Sequence, residues 1–182
     1  MNLIKNFSTG LKNSCNLLTA GIPKGCDNNI GGIQKLYIID HDSVLSKTEV
    51  SGEITAISLA SGTQFYEFAF NKNTSNFTDN ATISQENQSL FYAQTVTLKI
   101  PRREVSKRNT LALLMQKDLD VIVLDQNGLY WYLGSQNGLR VSELPSESGT
   151  AKGDFNGYTI TMVGEEPVQA YEVDSAIVPA LI

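Results

Sequence analysis

The amino-acid sequence predicts a mainly β protein, built as a β-barrel or sandwich of about eight to ten antiparallel strands with one flanking α-helix and an extended N-terminal arm. Three observations predict this fold. Short apolar or alternating segments recur between turns that contain Gly or Asn. Charged residues make up only 18% of the chain, and the Asn, Ser, Thr, Gln and Gly that take their place favour strands and turns. Helical periodicity is confined to one segment.

We expect residues 1–33 to form the arm and residues 34–182 to form a single domain. A chain of 182 residues with 41% hydrophobic content is long enough and apolar enough for one core. The segment "GIPKGCDNNIGG", Gly21–Gly32, consists of residues that favour loops. Both cysteines, Cys15 and Cys26, lie in the arm, where they form one disulfide or stay as two reduced thiols.

The strand candidates are short segments bounded by turn residues. They lie at Lys35–Asp40, Gly52–Ala60, Thr63–Phe70, Ser89–Pro101, Leu119–Asp125, Leu129–Gly134, Leu139–Leu144, Tyr158–Val163 and Val168–Val173. The pair Ser61–Gly62 predicts a two-residue hairpin between the second and third candidates. The segment Asn71–Asn80 contains a single apolar residue, which predicts a long polar loop of the kind that often mediates interactions.

The one helix is predicted within residues 106–117. Ser106 is a suitable N-cap, and Leu111, Leu114 and Met115 form one apolar stripe at helical spacing. The final segment "AIVPALI" is apolar, so we expect it to pack on the domain or on a neighbouring copy. No apolar run approaches the 18 residues of a membrane span, so no membrane insertion is expected.

The tetrapeptide Gln-Asn-Gly-Leu occurs twice, at Gln126–Leu129 and Gln136–Leu139. Because Asn-Gly is the strongest short hairpin pattern, the repeat predicts two tight reversals in a β-meander. Alternation between the reversals places Tyr130 and Tyr132 on one face of a strand and Trp131 on the other. These tyrosines belong to a core strand or, if both are exposed, to a platform for sugar rings. The second alternative makes the protein a carbohydrate-binding or adhesin-like β-sandwich.

Charge is distributed unevenly along the chain. The net charge is −5, so the chain as a whole lacks the character of a nucleic-acid binder. Residues 141–182 carry seven acids and one base, whereas residues 101–140 carry six bases and four acids. These are two solvated surfaces or two complementary surfaces that meet between copies. A basic junction contacts a phosphate backbone or forms salt bridges between subunits. It consists of Lys99, Arg102, Arg103, Lys107 and Arg108.

The sequence offers little catalytic chemistry. His41 is the only histidine, and a turn at a strand end is its ordinary interpretation, with a metal or catalytic site as the alternative. Asp118, Asp120 and Asp125 are calcium candidates without a matching loop pattern. The pair Glu165–Glu166 has the character of a solvated turn. Because nucleotide-binding and nucleophile motifs are absent from the sequence, we expect no enzyme activity, catalytic residue, cofactor or metal site.

Three stretches of the sequence carry a family resemblance. They are "CNLLTAGIPKGCDNNIGGIQKLYIID", "LDVIVLDQNGLYWYLGSQNGLRV" and "SGTAKGDFNGYTITMVGEEPVQA". The last is the most typical, with a small-residue run, Asp154, the segment Gly157–Thr161 and a Gly-Glu turn. In this order, and over more than a third of the chain, they resemble the tail tube proteins of tailed bacteriophages, especially those that infect Bacteroidetes. The same fold serves the type VI secretion tube.

The resemblance implies a structural virion protein in which six copies form a ring and rings stack into a tail tube through which DNA passes without specific binding. It implies assembly in the bacterial host cytoplasm and a place in the virion tail. The implied partners are further copies of the chain and other tail proteins at the tube ends. Tail terminator and neck ring proteins share the fold, so such a ring is an alternative. The predicted contacts between subunits are Asn73, Asn76, Phe77, Arg102, Arg103, Lys107 and Arg108.

Overall fold

The computed structural model describes residues 21–22, 28–86 and 88–182. It is mainly β, with 49% of residues in strands and 10% in helices. The predicted fold class is confirmed as a sandwich of two sheets with one α-helix, and the described residues form no closed barrel. The predicted arm lies largely outside the described residues, as do Cys15 and Cys26.

The described residues form twelve strands and one α-helix, in the following chain order. They are β1 (Ile33–Asp40), β2 (Val44–Val50), β3 (Glu53–Leu59), β4 (Tyr66–Glu67), β5 (Asn76–Ser84), β6 (Ser89–Pro101), α1 (Val105–Leu114), β7 (Leu119–Asp125), β8 (Tyr130–Leu133), β9 (Arg140–Glu143), β10 (Ser146–Glu147), β11 (Gly157–Glu166) and β12 (Tyr171–Val173). The strands exceed the predicted number because β2 and β5 are too polar, and β10 too short, to stand out in the sequence.

Two sheets form the sandwich. The large sheet has seven strands in the order β2-β3-β12-β8-β7-β1-β4. The small sheet runs β10-β11-β6-β5, and β9 also pairs with β11. Among the described residues every pair of strands is antiparallel except β12 with β3, which is parallel.

The predicted hairpin at Ser61–Gly62 is wrong. β3 instead pairs with β2 through the turn at Ser51–Gly52, where both residues have positive φ, 57° and 94°. The other edge of β3 is occupied by β12, so the chain after β3 has no free edge there. The predicted strand Thr63–Phe70 shortens to β4, which pairs with β1 at the far side of the large sheet.

The predicted meander is confirmed at its first reversal and wrong at its second. β7 and β8 form the expected hairpin around Asn127–Gly128, with Gly128 at a φ of 88°. The turn that contains Gly138 also forms, with a φ of 76°, but the chain crosses there into the small sheet. β9 therefore pairs with β11 and not with β8.

The segment Asn71–Asn80 was predicted to be a loop, and this prediction is wrong for its second half. β5 begins at Asn76 and pairs with β6 along its whole length, from Asn76 opposite Thr97 to Ser84 opposite Ser89. Its backbone can form this ladder whatever its side chains are, because β6 offers a free edge. The polar residues that suggested a loop lie on the solvent face of an edge strand.

Two hydrophobic cores cover the two faces of the large sheet. The first core lies between the sheets and under α1, and its members include Leu36, Val121, Leu98, Ile160 and Leu111. The second core lies on the opposite face of the large sheet, under the C-terminal segment. It consists of Tyr37, Ile39, Ile54, Phe65, Ile122, Tyr132, Val173, Val178 and Leu181. The apolar tail therefore packs on its own domain.

The helix begins slightly earlier than predicted. Glu104 is the N-cap and makes no side-chain capping bond, so the prediction that Ser106 caps the helix is wrong. Leu111 and Leu114 are buried as predicted, whereas Met115 lies past the helix end and is exposed.

Candidate assembly surface

β5 is an edge strand with no further strand on its outer side among the described residues. Over nine residues it carries no lysine or proline, and its one charged residue is Asp79. The Asp79 carboxylate accepts a hydrogen bond from the backbone N–H of Ala170 at 2.7 Å, so it points back to its own chain. Ile83, near the strand end, is 70% exposed. Natural proteins usually protect an edge strand with charges, prolines or bulges, and this edge presents none of them outward, because its one charge, Asp79, is held by its own chain.

The opposite edge of the small sheet is formed by two short strands, β9 and β10. β9 pairs with β11 at Thr161–Val163, and β10 pairs with it at Gly157–Tyr158. The same sheet therefore ends in a long open edge at β5 and a shorter one at β9 and β10. Two unlike edges of one sheet can meet between copies in a head-to-tail arrangement, which closes into a ring when the rotation permits.

The face of the small sheet that points away from the core is rich in threonine. Cross-strand register places Thr78 beside Thr95, and Thr97 between Asn76 and Thr161. We call this surface the threonine face. Its threonines are Thr78, Thr82, Thr95, Thr97, Thr159 and Thr161.

The charged residues of the threonine face are few and of opposite sign. Lys99 on β6 and Glu165 on β11 are exposed there, and cross-strand register adds three exposed residues at the β9–β10 edge, Arg140, Glu143 and Glu147. The ammonium of Lys99 lies 5.6 Å from the centre of the Phe155 ring, which holds it against the protein. A surface of hydroxyls with two bases and three acids offers no cluster of cations for phosphate groups.

The residues predicted in the polar segment occupy different positions. Asn73 lies in the turn before β5, at a φ of 60°, with an exposed side chain. Asn76 is the first residue of β5, and its side chain is exposed. Phe77 is partly buried and packs against the first core, so its ring contributes to the fold. Asn73 and Asn76 stay predictions as intersubunit contacts.

The basic junction is partly engaged within its own loop. Arg102 has a φ of 64°, and its guanidinium pairs with Glu104 at 2.9 Å. Lys107 donates to the carbonyls of Pro101 at 2.8 Å and Arg102 at 3.3 Å. These bonds stabilise the strand–helix connection. The remaining predicted residues, Arg103 and Arg108, have exposed side chains that point to solvent in the isolated chain.

A buried polar cluster inside the large sheet was not predicted from the sequence. Asp120 is 0% exposed, and its carboxylate lies 2.6 Å from His41 Nδ1 and 3.4 Å from Lys47 Nζ. The hydroxyl of Tyr132 donates to it at 2.5 Å. Burial and the nearby Asp120 carboxylate raise the pKa of Tyr132 well above its usual value. His41 itself lies in a single 3-10 turn after β1, which agrees with its interpretation as a turn residue.

Glu166 is a second buried acid, and its predicted place in a solvated turn is wrong. It is 0% exposed and ends β11. Its two oxygens accept hydrogen bonds from the backbone N–H groups of Gln136 and Asn137, both at 2.9 Å. Burial nevertheless raises the pKa of Glu166 above its usual value. The carboxylate thus fixes the turn at which the chain leaves the large sheet.

The three calcium candidates serve separate structural roles. Asp118 binds the guanidinium of Arg140, with Nε at 2.8 Å, and Asp120 belongs to the buried cluster. Asp125 accepts from the backbone N–H of Asn127 at 2.8 Å and so supports the β7–β8 turn. In the part of the chain that the structure describes, no group of three or more His, Cys, Asp and Glu side chains is placed to hold a metal ion.

Of the two alternatives for this strand, the core strand is confirmed and the sugar platform is wrong, because Tyr132 is 0% exposed in the second core. Its ring meets Phe65 edge-on with the centroids 6.3 Å apart, so no sugar can stack on it. The alternation that placed Tyr130 and Tyr132 on one face is confirmed.

No helix in the described ranges is both long and apolar enough for a membrane span.

Comparison of the chain with protein-family models, curated proteins and solved structures gave no match.

Proposed function

We propose that this protein is the subunit of a ring-forming, stacked bacteriophage tail tube through which DNA passes. The observation that carries the proposal is the nine-residue open edge of β5 in a sheet whose other edge is also open. A long edge strand without protective residues is a template for pairing with another chain. The resemblance of three sequence stretches to tail tube proteins supplies the virion context and the six copies per ring.

In this arrangement β5 of one copy pairs with β9 and β10 of the next copy. Each copy uses two different edges, so the interface is heterologous, and a closed ring leaves no edge of the small sheet unpaired. The ring then contains a continuous sheet, with the first core of each copy on its outer side.

The threonine face lines the lumen of the proposed tube. Its hydroxyls form hydrogen bonds with water, and its charges are of mixed sign with a small excess of acids. DNA can then pass without the phosphate–cation contacts that give nonspecific binding. We infer that low charge on this face, more than the acidity of the whole chain, keeps DNA from adhering.

Stacking of rings uses surfaces away from the small sheet. The exposed Arg103 and Arg108 of the basic junction are available to acids of residues 141–182 that lie outside the small sheet, such as the exposed Asp154, of an adjacent copy. The turn that contains Asn73 is a second stacking candidate. The proposed partners are copies of this chain and other tail proteins at the tube ends, and the proposed location is the virion tail after assembly in the host cytoplasm.

The test compares assembly of the wild-type chain with that of an edge variant, Asn80→Lys with Thr82→Lys, by negative-stain imaging and mass photometry over a concentration series. Lysines on β5 should repel the next copy and solvate the edge, as they do in natural edge strands. We expect wild-type rings or tubes of uniform diameter, and at least a tenfold higher concentration for assembly of the variant.

The matched control is Ser46→Lys with Thr48→Lys, which adds the same charge to β2, at the edge of the large sheet. It should assemble as the wild type does. Equal assembly of the wild type and the β5 variant, or a wild type that stays monomeric, would contradict the proposal. Single rings that never stack would favour a tail terminator or neck ring, which the resemblance also allows.

A further inference from the structure

The sequence contains three Asn-Gly pairs, at Asn127–Gly128, Asn137–Gly138 and Asn156–Gly157. An asparagine deamidates most readily before glycine, because glycine has no side chain to hinder attack by its backbone nitrogen on the asparagine carboxamide. The first two pairs lie in the two copies of Gln-Asn-Gly-Leu, so their nearest neighbours in the sequence are identical. A difference in reactivity between these two copies therefore reports on the fold.

Deamidation at such a pair requires only the chain and water. The glycine nitrogen loses its proton and attacks Cγ of the asparagine, the Cγ–Nδ2 bond breaks, and ammonia leaves with that proton. The product is a succinimide ring. Water then adds to one of its two carbonyl carbons, and the C–N bond there breaks to give aspartate or isoaspartate. The reaction is therefore fastest where the carboxamide can turn and the glycine N–H is weakly bound.

The second pair is held on both sides of the reacting atoms. The Asn137 carboxamide donates to the carbonyl of Glu165 at 2.6 Å, and the Asn137 backbone N–H donates to Glu166 at 2.9 Å. Gly138 is buried, and a Cβ added there would lie 3.0 Å from Cβ of Asp118. Attack at this pair therefore requires the turn between the two sheets to open.

The third pair lies at the start of β11, between two other strands. Gly157 is buried and is paired with Glu147 of β10 on one side and with Pro101 of β6 on the other. The carbonyl of Asn156 accepts a hydrogen bond from the backbone N–H of Arg102 at 2.7 Å. Attack at this pair requires strands of the small sheet to separate.

The first pair lies at the surface, on the β7–β8 turn. A Cβ added at Gly128 would meet no atom of the described residues within 4 Å, and the Gly128 N–H donates to the carbonyl of Asp125 at 3.3 Å, which is long for such a bond. The exposed Asn127 carboxamide is held by the residues that lead into β1. Its Oδ1 accepts from the N–H of Ile30 at 2.8 Å, and its Nδ2 donates to Asn29 at 3.0 Å. Exposed bonds of this kind open at a lower free-energy cost than buried ones.

We propose that Asn127 is a site of spontaneous deamidation, and that residues 29–30 control its rate by holding the carboxamide on the β7–β8 turn. While both bonds are in place, rotation of the carboxamide toward the Gly128 nitrogen is restrained. A chain whose residues 29–30 leave the turn exposes Asn127 to attack. The product carries an added negative charge, and isoaspartate also lengthens the backbone of the turn, so the modification permanently marks chains in which this entry has opened. The inference does not rest on the proposed function.

Peptide mapping by mass spectrometry tests the proposal on the full chain, kept folded in mildly alkaline buffer. Chymotrypsin cleaves after the aromatic residues of β8, so the two copies of Gln-Asn-Gly-Leu fall on separate peptides. We expect deamidation at Asn127 to be roughly tenfold or more faster than at Asn137 and Asn156, because its bonds open locally. In denaturant, Asn127 and Asn137 should react at nearly equal rates. This matched comparison removes the contribution of the local sequence.

The variant Asn29→Ala with Ile30→Pro tests the control by residues 29–30, because it removes the acceptor of one bond and the N–H donor of the other. We expect deamidation at Asn127 to accelerate by roughly threefold or more. The rates at Asn137 and Asn156 should stay unchanged, and they serve as controls within the same molecule.

Two sets of results would overturn the proposal. In the folded wild type, equal or faster deamidation at Asn137 or Asn156 would overturn the assignment of the site, as would retention of all three amides while the denatured chain loses them. In the variant, an unchanged rate at Asn127 would overturn the control by residues 29–30. Equal acceleration at all three sites would do the same, because it would reflect a general loss of stability. Ring assembly is measured separately by imaging, so failure here leaves the proposed function standing.

Discussion

The large sheet and the small sheet differ in how much of their surface the chain itself covers. The central strands of the large sheet are buried on both faces, by the first core on one side and by the second core with the C-terminal segment on the other. In β7, six of seven residues are buried. The small sheet buries one face only, and along β6 and β11 buried residues alternate with more exposed ones.

The difference separates residues that stabilise the fold from residues that are available for assembly. A sheet covered on both faces has no surface left for a partner except at its edges. A sheet with one open face and two open edges offers a partner both backbone groups and side chains. Substitutions in the large sheet should therefore reduce stability, whereas substitutions on the open face or edge of the small sheet should act mainly on assembly.

Loss of Asp120 should have the largest effect on stability. Asp120→Ala leaves Lys47, His41 and the Tyr132 hydroxyl without their shared carboxylate, and removal of one partner from a buried charged cluster costs about 3–5 kcal/mol. Asp120→Asn keeps the size and some hydrogen bonding, so it should lose less. Urea unfolding of both variants measures the difference, and equal stability of Asp120→Ala and wild type would contradict this account of the large sheet.

Removal of the C-terminal cover should have the next largest effect. Leu181 is buried in the second core, so Leu181→Ala should cost roughly 2–4 kcal/mol of unfolding free energy. Ile182→Ala is the matched control, because Ile182 is substantially exposed and should contribute little. Thermal unfolding compares the pair. Similar melting temperatures for the two variants would mean that the tail does not cover the large sheet.

Glu166 should give a smaller and pH-dependent effect. Glu166→Gln weakens the bonds to Gln136 and Asn137, at a cost of about 1–3 kcal/mol. Because burial raises the pKa of Glu166 above 4.5, the wild type loses stability as the pH rises from 4.5 through the raised folded-state value. The variant lacks this loss. The stability advantage of the wild type over Glu166→Gln, measured by chemical unfolding, should therefore be largest below pH 4.5 and should shrink above it. An advantage that grows with pH over this interval would contradict the prediction.

The threonine face should tolerate substitution best. Thr161→Ala removes a hydroxyl from the open face of the small sheet, so the unfolding free energy should change by no more than about 0.5 kcal/mol. Met162→Ala, the next residue along β11, faces the first core and should cost about 2–5 kcal/mol. Calorimetry of the two variants compares the faces directly. A loss of about 2 kcal/mol or more of unfolding free energy in Thr161→Ala would show that other residues of the same chain cover the threonine face.

Features that depend on local sequence could be predicted. Alternation correctly placed Tyr130 and Tyr132 on one face of their strand, because side chains alternate along any strand. The Asn127–Gly128 reversal was correct because its turn residues determine the backbone there. The helix stripe placed Leu111 and Leu114 correctly in the first core.

Features that depend on distant partners could not be predicted. β5 is polar, and it is a strand only because β6 has a free edge. Glu166 is buried because it binds N–H groups about thirty residues away. The Asp120 cluster joins His41, which is 79 positions away in the sequence. For β5 and Glu166 the local pattern was that of a solvated segment, and for Asp120 it was that of an apolar strand. In each case the partner that decides the residue's role is visible only in the fold.

Cryo-electron microscopy of the assembled protein tests the central claim most directly, because it shows what lies against the outer edge of β5. We expect continuous sheet density from β5 of one copy to β9 and β10 of the next, with the threonine face toward the lumen. An assembly in which β5 faces solvent, or in which the threonine face points outward, would contradict the account.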